Sequence, residues 1–249
     1  GFHLLHAFVD AVWIKVAPET DLEELRIAIE KAASCPMALE GVYKWIRYAP
    51  SKRDKLSGVP NRYFGAFQSG ELKIRGIACR RHDTPKLIKE MQTRLLEQLA
   101  QANSLSACRE SAAVLLDIVE DYRLRVREGR VSAEDLAITF HLSKAPEDYV
   151  AESVQTLAAR QLAAAGIKLH PGETVRYVIT SAKDSVKEWR TKPLALIDGP
   201  LEYDVGKYLE LVERAAAEIL DGMVSLPTKA MGKAKPPSRE LELPLSWGS

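Results

Sequence analysis

At residues 82–85 the hydrophobic pattern of the chain changes period. Before them, short apolar runs alternate with charged residues; after them, Leu87, Ile88, Met91, Leu95, Leu96 and Leu99 recur three and four apart over KLIKEMQTRLLEQLAQAN, one face of a helix. The change marks the junction between a mainly strand-forming part and a mainly helical one, and strands and helices together read as an α+β fold. Thr84 is placed to cap the helix and Pro85 to occupy its first turn. A second helix is predicted over about 106–127, closed by Gly129, which makes an antiparallel helical pair and puts a domain boundary near residue 84.

Upstream, the run FHLLHAFVDAVWIKV is broken near its middle by one acid, Asp10. Its β-branched and aromatic residues favour two short, buried, antiparallel strands with Asp10 at or beside their turn. Two readings of that acid stand side by side. It is a turn-former, or it is a carboxylate presented to a divalent cation such as Mg²⁺, which takes oxygen ligands and needs one or two carboxylates beside substrate phosphates. A helix is expected over 20–34, capped by Thr20 or Asp21, with an apolar stripe of Leu22, Leu25 and Ile29. A strand follows from Leu39, then the loop SKRDKLSGVPN, then a hairpin of RYFGAF and ELKIRGIACRR turning at Gln68, Ser69 and Gly70.

Downstream, VSAEDLAITFHL reads as a capped turn and a short strand. A helix over 150–165 ends at Gly166, GIKLHPGETVRYVIT reads as strand, turn and strand, and 183–192 as a loop. An amphipathic helix spans 204–220, and the Pro, Lys and Ser of the segment from Met223 predict a flexible tail over 223–249. The 249 residues carry 35 Lys and Arg against 34 Asp and Glu, so overall charge announces no polyanionic partner. Distribution has to carry that argument: Lys44, Arg47, Lys52, Arg53, Lys55, Arg62, Lys73, Arg75, Arg80 and Arg81 are interleaved with Tyr43, Trp45, Tyr48, Tyr63 and Phe64. A surface tracking a phosphate backbone needs that mixture, though alternating strands also expose such residues for solubility.

No apolar run approaches the roughly 18 residues of a membrane span. The first residues carry His3, His6 and Asp10 without a basic leader, which argues against a secretory signal. Cys35, Cys79 and Cys108, odd in number and widely spaced, read as reduced, buried residues of a cytoplasmic protein. A start at Gly1 on a strand that reads as buried suggests a fragment whose N-terminal neighbour is missing.

Three separated stretches, GVPNRYFGAFQSGELKIRGIACRRHDTPKLIKEMQ, LSKAPEDY with AAGIKLHPGETVRYVI, and EYDVGKYLELVERAAAEIL, together resemble the family B DNA polymerases, most closely their archaeal-type members. The resemblance implies an antiparallel palm sheet with a flanking helix over 1–84, and over 85–222 a mainly helical thumb with a small β element. The family's palm hairpin carries a tyrosine-glycine-aspartate-threonine-aspartate-serine motif, and His6 to Ala11 stand there as H-A-F-V-D-A. Asp10 is then the counterpart of the second, metal-ligating aspartate, Phe8 replaces the first and Ala11 the serine. Two-metal chemistry uses cations roughly 3.5–4 Å apart and bridging carboxylates. The family's other aspartate and its triphosphate-binding lysine would precede Gly1, so this chain alone is expected to be inactive and the full-length protein, if active, to use Mg²⁺.

Where the family has a K-K-R-Y run, Pro60-Asn61-Arg62-Tyr63 keeps only Arg62 and Tyr63. Changes in both motifs resemble a divergent paralogue of archaea and some bacteria whose polymerase activity is expected to be weak or lost. The implied partners are duplex primer-template DNA, gripped by Lys44, Arg62, Tyr63, Arg80, Arg81, Ser143, Lys144, Tyr149 and Arg160, and the N-terminal remainder of the polymerase with its exonuclease, fingers and early palm. A sliding clamp is a further candidate, although LELPLSW lacks the glutamine of a clamp motif and has one aromatic residue.

Overall fold

The computed structural model describes residues 2–51 and 58–224. The opening run folds as β1 (Phe2–Phe8) and β2 (Ala11–Val16), paired antiparallel with Phe8 opposite Ala11. The chain reverses at Val9 and Asp10, and Val9 takes a φ of 54°, a conformation that β-branched side chains resist. The strands are not buried as expected: Leu4 and Leu5 are each 60% exposed, and the face that is covered is an aromatic one. Helix α1 (Leu22–Ala33) starts where Asp21 accepts from the amides of Glu23 and Glu24, and it has no buried residue.

Strands β3 (Tyr43–Pro50), β4 (Gly58–Phe67) and β5 (Leu72–Arg75) form one antiparallel sheet in that order. Strand β4 reaches back to Gly58, so part of the expected loop pairs instead. The turn from β4 to β5 falls at residues 68–70 as expected, with Gly70 at a φ of 91°. After β5 the chain swings round at Gly76, where a Cβ would stand 2.3 Å from the Asn61 carbonyl, and makes a 3-10 turn over Ala78–Arg80. Only glycine permits that approach.

Helix α2 (Lys86–Ala100) follows. Its N-cap is Pro85, with no side-chain cap, and the Thr84 hydroxyl, one residue too early to reach the first free amides, is without a partner among the described residues. The predicted second helix is two, α3 (Leu105–Glu110) and α4 (Ala112–Arg127), broken at Ser111. A short helix α5 (Ala133–Leu136), closed by a capping box between Ser132 and Asp135, leads into β6 (Ile138–His141). Helix α6 (Val154–Ala164), preceded by a 3-10 turn over Pro146–Asp148, starts four residues later than predicted because Ser153 caps it.

A second three-stranded sheet places β7 (Thr174–Ile179) between β6 and β8 (Thr191–Pro193). Both edges of β7 are taken, and residues 167–170 are not a strand; after Gly166 they wrap back so that the Gly172 amide meets the Leu142 carbonyl. The last helix, α7 (Val205–Leu220), is capped by Asp204.

Leu87, Met91, Leu95, Leu96 and Leu99 of α2 pack with Leu115, Val119 and Val126 of α4 and Tyr208, Val212 and Ile219 of α7. The same core includes Trp45 and Phe64, and the Trp45 indole donates to the Ala102 carbonyl at 3.2 Å. Burial thus runs across residue 84. The architecture is α+β, as expected, with α1 set between the strands of the first part and a second sheet among the helices of the second. Of the cysteines Cys108 is buried, Cys79 is half-buried and Cys35, contrary to expectation, is exposed. No described helix is long and apolar enough to cross a membrane. Lys52, Arg53, Lys55 and LELPLSW lie outside the described residues.

Candidate nucleic-acid interface

Asp10 is exposed at the tip of the β1 and β2 hairpin. Among the described residues no group of three His, Cys, Asp or Glu side chains could hold a metal ion. One carboxylate at a turn does not fit a two-cation centre by itself. A few residues back from the turn, the paired His6 and Trp13 anchor the hairpin. His6 lies 5.1 Å edge-on to Tyr48, and Trp13 lies 5.5 Å from Tyr63, ring centre to ring centre. Burial pushes the Tyr48 phenol up to about 12, and it does the same to Tyr43, where the Trp13 indole acts in the opposite sense.

Arg62 and Tyr63 are both occupied inside the fold. Tyr63 is 5% exposed beneath Trp13 and Tyr48. Arg62 donates to Glu218 of α7 at 2.7 Å. That carboxylate also accepts from the Ala78 amide at 2.9 Å and the Gln92 side chain at 3.0 Å. Gln92 is itself fully buried, taking the Cys79 amide at 2.7 Å and giving to the Ala215 carbonyl at 2.8 Å. Arg47 adds a bond of 2.6 Å to the Ile219 carbonyl at the end of α7. These polar ties hold sheet, 3-10 turn and two helices together. Sequence reasoning missed Glu218 and Gln92, although Glu218 stands three residues after Ala215 and one before Ile219, on the apolar face of its helix.

Beside this junction lies a cleft of about 690 Å³ whose walls include Arg80, Arg81, His82, Asp83 and Thr84 from the turn before α2, His141 from the end of β6, and Arg214 from α7. Arg80 and Arg81 are exposed, and Arg81 is 3.6 Å from Asp83. His82 meets His141 edge-on at 6.2 Å, which bridges the turn before α2 to β6.

Two residues beyond His141 begins a second polar cluster. The Ser143 amide donates to the Tyr149 hydroxyl at 2.8 Å, and the Lys144 ammonium stands 5.0 Å from the centre of the Tyr149 ring. Arg160 donates to the Tyr149 carbonyl at 2.5 Å and lies 3.5 Å from Glu152. Desolvation raises the Tyr149 pKa, but the Ser143 bonds, the Lys144 amide and the Lys144 charge outweigh it and hold the phenol below its ordinary value. The structure therefore gathers Ser143, Lys144, Tyr149 and Arg160, and sets Arg80 and Arg81 along the wall that β6 shares. Lys44 stays apart on β3, half-buried and without an ion-pair partner among the described residues. His82, His141 and Arg214 were not among the expected contacts, because only the fold brings them to one cleft.

Residues 60–223 match the family model described as DNA polymerase family B. DNA polymerase 1 of Saccharolobus solfataricus is 24% identical over 221 residues, which cover 88% of this chain and 24% of that protein. DNA polymerase 2 of Aeropyrum pernix is 27% identical over 221 residues, covering 88% of this chain and 25% of its own. The structure is similar to that of the family B DNA polymerase from the hyperthermophilic archaeon Pyrobaculum calidifontis, with a TM-score of 0.65 and 25% identity over 92% of this chain and 28% of that one. The chain spans about a quarter of the length of the relatives it matches.

Proposed function

The chain belongs to DNA polymerase family B, and from that membership we propose that it is a palm and thumb part that binds primer-template duplex DNA. Residues 1–84 are the palm portion in this reading, 85–222 the thumb and 223–249 a tail. One observation carries the duplex reading. Arg80 and Arg81 line the cleft beside His82, whose ring meets His141, and Lys144 follows His141 by three residues, seated over the Tyr149 ring. Guanidinium and ammonium groups held by a rigid frame suit phosphodiester oxygens, which position a duplex without reading its sequence. Lys44, Ser143 and Arg160 supplement them, while Arg62 and Tyr63 serve by holding the sheet to α7 and to the hairpin.

Family B DNA polymerases are generally divalent-metal dependent. In the same reading Asp10 is one ligand of a Mg²⁺ site for nucleotidyl transfer whose remaining carboxylates, with the exonuclease, fingers and early palm, belong to the three quarters of the relatives that this chain does not span. A second reading is a non-catalytic DNA-binding or scaffolding homologue, favoured by Phe8 at the place of the family's first aspartate. A clamp contact through LELPLSW is the weakest element of the proposal, since that stretch lacks the motif's glutamine.

Fluorescence anisotropy of a labelled primer-template duplex against salt tests the duplex reading. Affinity falls steeply with salt as counterions are released, and the paired change of Arg81 and Lys144 to Ala flattens the slope by about two phosphates. Salt-independent binding, or none at low salt, would sink the reading. Primer extension by the full-length protein, wild type against Asp10→Ala, decides between the enzyme and the scaffold; activity that survives the substitution removes Asp10 from the metal site.

A further inference from the structure

The connection between β7 and β8 carries the most exposed aromatic ring among the described residues. Trp189, in a 3-10 turn over Lys187–Arg190, is 64% exposed, while Trp45 lies in the core. The backbone under that ring is fixed from several sides. The Trp189 amide donates to the Val186 carbonyl at 3.2 Å, and the Thr180 hydroxyl donates to the Trp189 carbonyl. Gln161 of α6 donates to the neighbouring Glu188 and Thr191 carbonyls at 2.8 and 2.9 Å. An indole on so fixed a backbone loses little freedom when a ligand covers it, and its large face then leaves water.

The residues that lead to the ring say what covers it. Arg160, bonded to the Tyr149 carbonyl, lies 3.5 Å from Glu152, and Glu152 also pairs with Lys187 in the turn that carries Trp189. The polar cluster of Lys144, Tyr149 and Arg160 is thereby continuous with this turn. Residues 183–192 hold Lys183, Lys187, Arg190 and Lys192 against Asp184 and Glu188. Lys187 is engaged by Glu152 and Lys192 by Asp198, but both pairs are exposed and worth little, so a phosphodiester can take the place of either carboxylate. The immediate neighbours of the indole in the chain, Glu188 and Arg190, are charged, whereas the core of a protein interface is depleted of charge. Cations along a track with an aromatic face at its end suit an unpaired nucleotide, its phosphates on the cations and its base on the ring.

We propose that Trp189 is a stacking platform for one unpaired base, where a single-stranded DNA extension leaves the duplex. The platform rests on the duplex reading and adds the single-stranded part of the substrate to it. The test is fluorescence anisotropy of the 249-residue chain at one salt concentration with a blunt duplex, the same duplex with a single-stranded extension, and a duplex whose extension consists of abasic sites. The extended duplex binds tighter than the blunt one by about fivefold or more, the low end of what stacking one base contributes. The abasic extension loses most of that gain. Trp189→Ala, at an exposed position, abolishes the gain without changing the affinity for the blunt duplex, and Trp189→Phe keeps part of it.

Equal affinity for blunt and extended duplexes, an abasic extension that binds as well as the normal one, or a gain that survives Trp189→Ala would overturn the platform and leave the duplex reading standing. Binding of single strands that depends on Trp189, without binding of the blunt duplex, keeps the platform and removes the duplex reading. Sedimentation in which the wild type self-associates and Trp189→Ala does not would assign the ring to a second copy of the chain and overturn the platform as well.

Discussion

The opening hairpin and the sheet that follows it use the same materials, antiparallel strands rich in aromatic and β-branched residues, but they are secured in opposite ways. Strands β1 and β2 cover one aromatic face with Tyr48 and Tyr63 and leave Leu4, Leu5 and Val9 to solvent. Strands β3 to β5 place Phe64 and Ala66 in the core and are tied to α7 by Arg47 and Arg62. Similar composition therefore does not mean similar integration. A strand belongs to the core when a partner layer covers its face and its polar ends are tied, and the hairpin meets the first condition on one side only.

The sharpest way to break that contrast is in the core itself. Leu96 is fully buried, and Leu96→Ala is expected to cost about 3 kcal/mol in a urea titration through lost transfer energy and a residual cavity. The same truncation at the exposed Leu5 should stay within about 0.5 kcal/mol. Equal losses at both sites would mean that the hairpin is as integrated as the helices.

Next in size is Glu218→Ala. It strands the Arg62 guanidinium, the Gln92 amide and the Ala78 amide together, for about 2 kcal/mol, less than a fully buried pair would lose because Arg62 is partly exposed. The double variant with Arg62→Ala should cost less than the sum of the two single changes, since each one already breaks the same contact.

Tyrosine titration separates the two regions without unfolding either. The phenols of Tyr48, under the hairpin, and Tyr177, in β7, are both pushed up by burial to about 12. Deleting residues 1–17 should bring Tyr48 back towards the ordinary 10.0 in absorbance at 295 nm and leave Tyr177 where it is. The sign for stability follows. The fold favours the protonated phenol, so this contribution is intact below pH 10 and is lost as pH climbs towards 12, where the unfolded chain ionises first. A deletion that moved both residues would show that the hairpin supports the whole structure.

The smallest effect runs the other way. Val9→Gly relieves a left-handed residue that glycine accepts, and should stabilise the hairpin by about 1 kcal/mol, seen as slower proteolysis within residues 2–16. Faster cleavage would mean that the Val9 side chain does more than tolerate its place.

Much of this was legible in local pattern. Helices α2 and α7 and the turn at residues 68–70 follow from periodicity and glycine placement, because those signals act over a few residues. What escaped depends on distant partners. Strand β8 is three residues ending in a proline, and it exists because β7 offers an edge. Arg62 and Tyr63 read as surface groups until the fold supplies Glu218 and Trp13. Nothing near Thr84 in sequence reveals that Pro85 would take the cap and leave the hydroxyl inside.

The bond from Arg47 to the Ile219 carbonyl joins residues 172 positions apart. On a ribosome adding about 5–20 residues per second, the sheet waits roughly 10–30 s for the helix that ties its polar ends. Through that interval β3 to β5 lack α7, and the aromatic strands that end up most firmly held are the ones a nascent chain must shield longest. A chaperone that recognises exposed aromatic strands should therefore bind a chain stalled before residue 205 and release it once α7 has emerged from the exit tunnel.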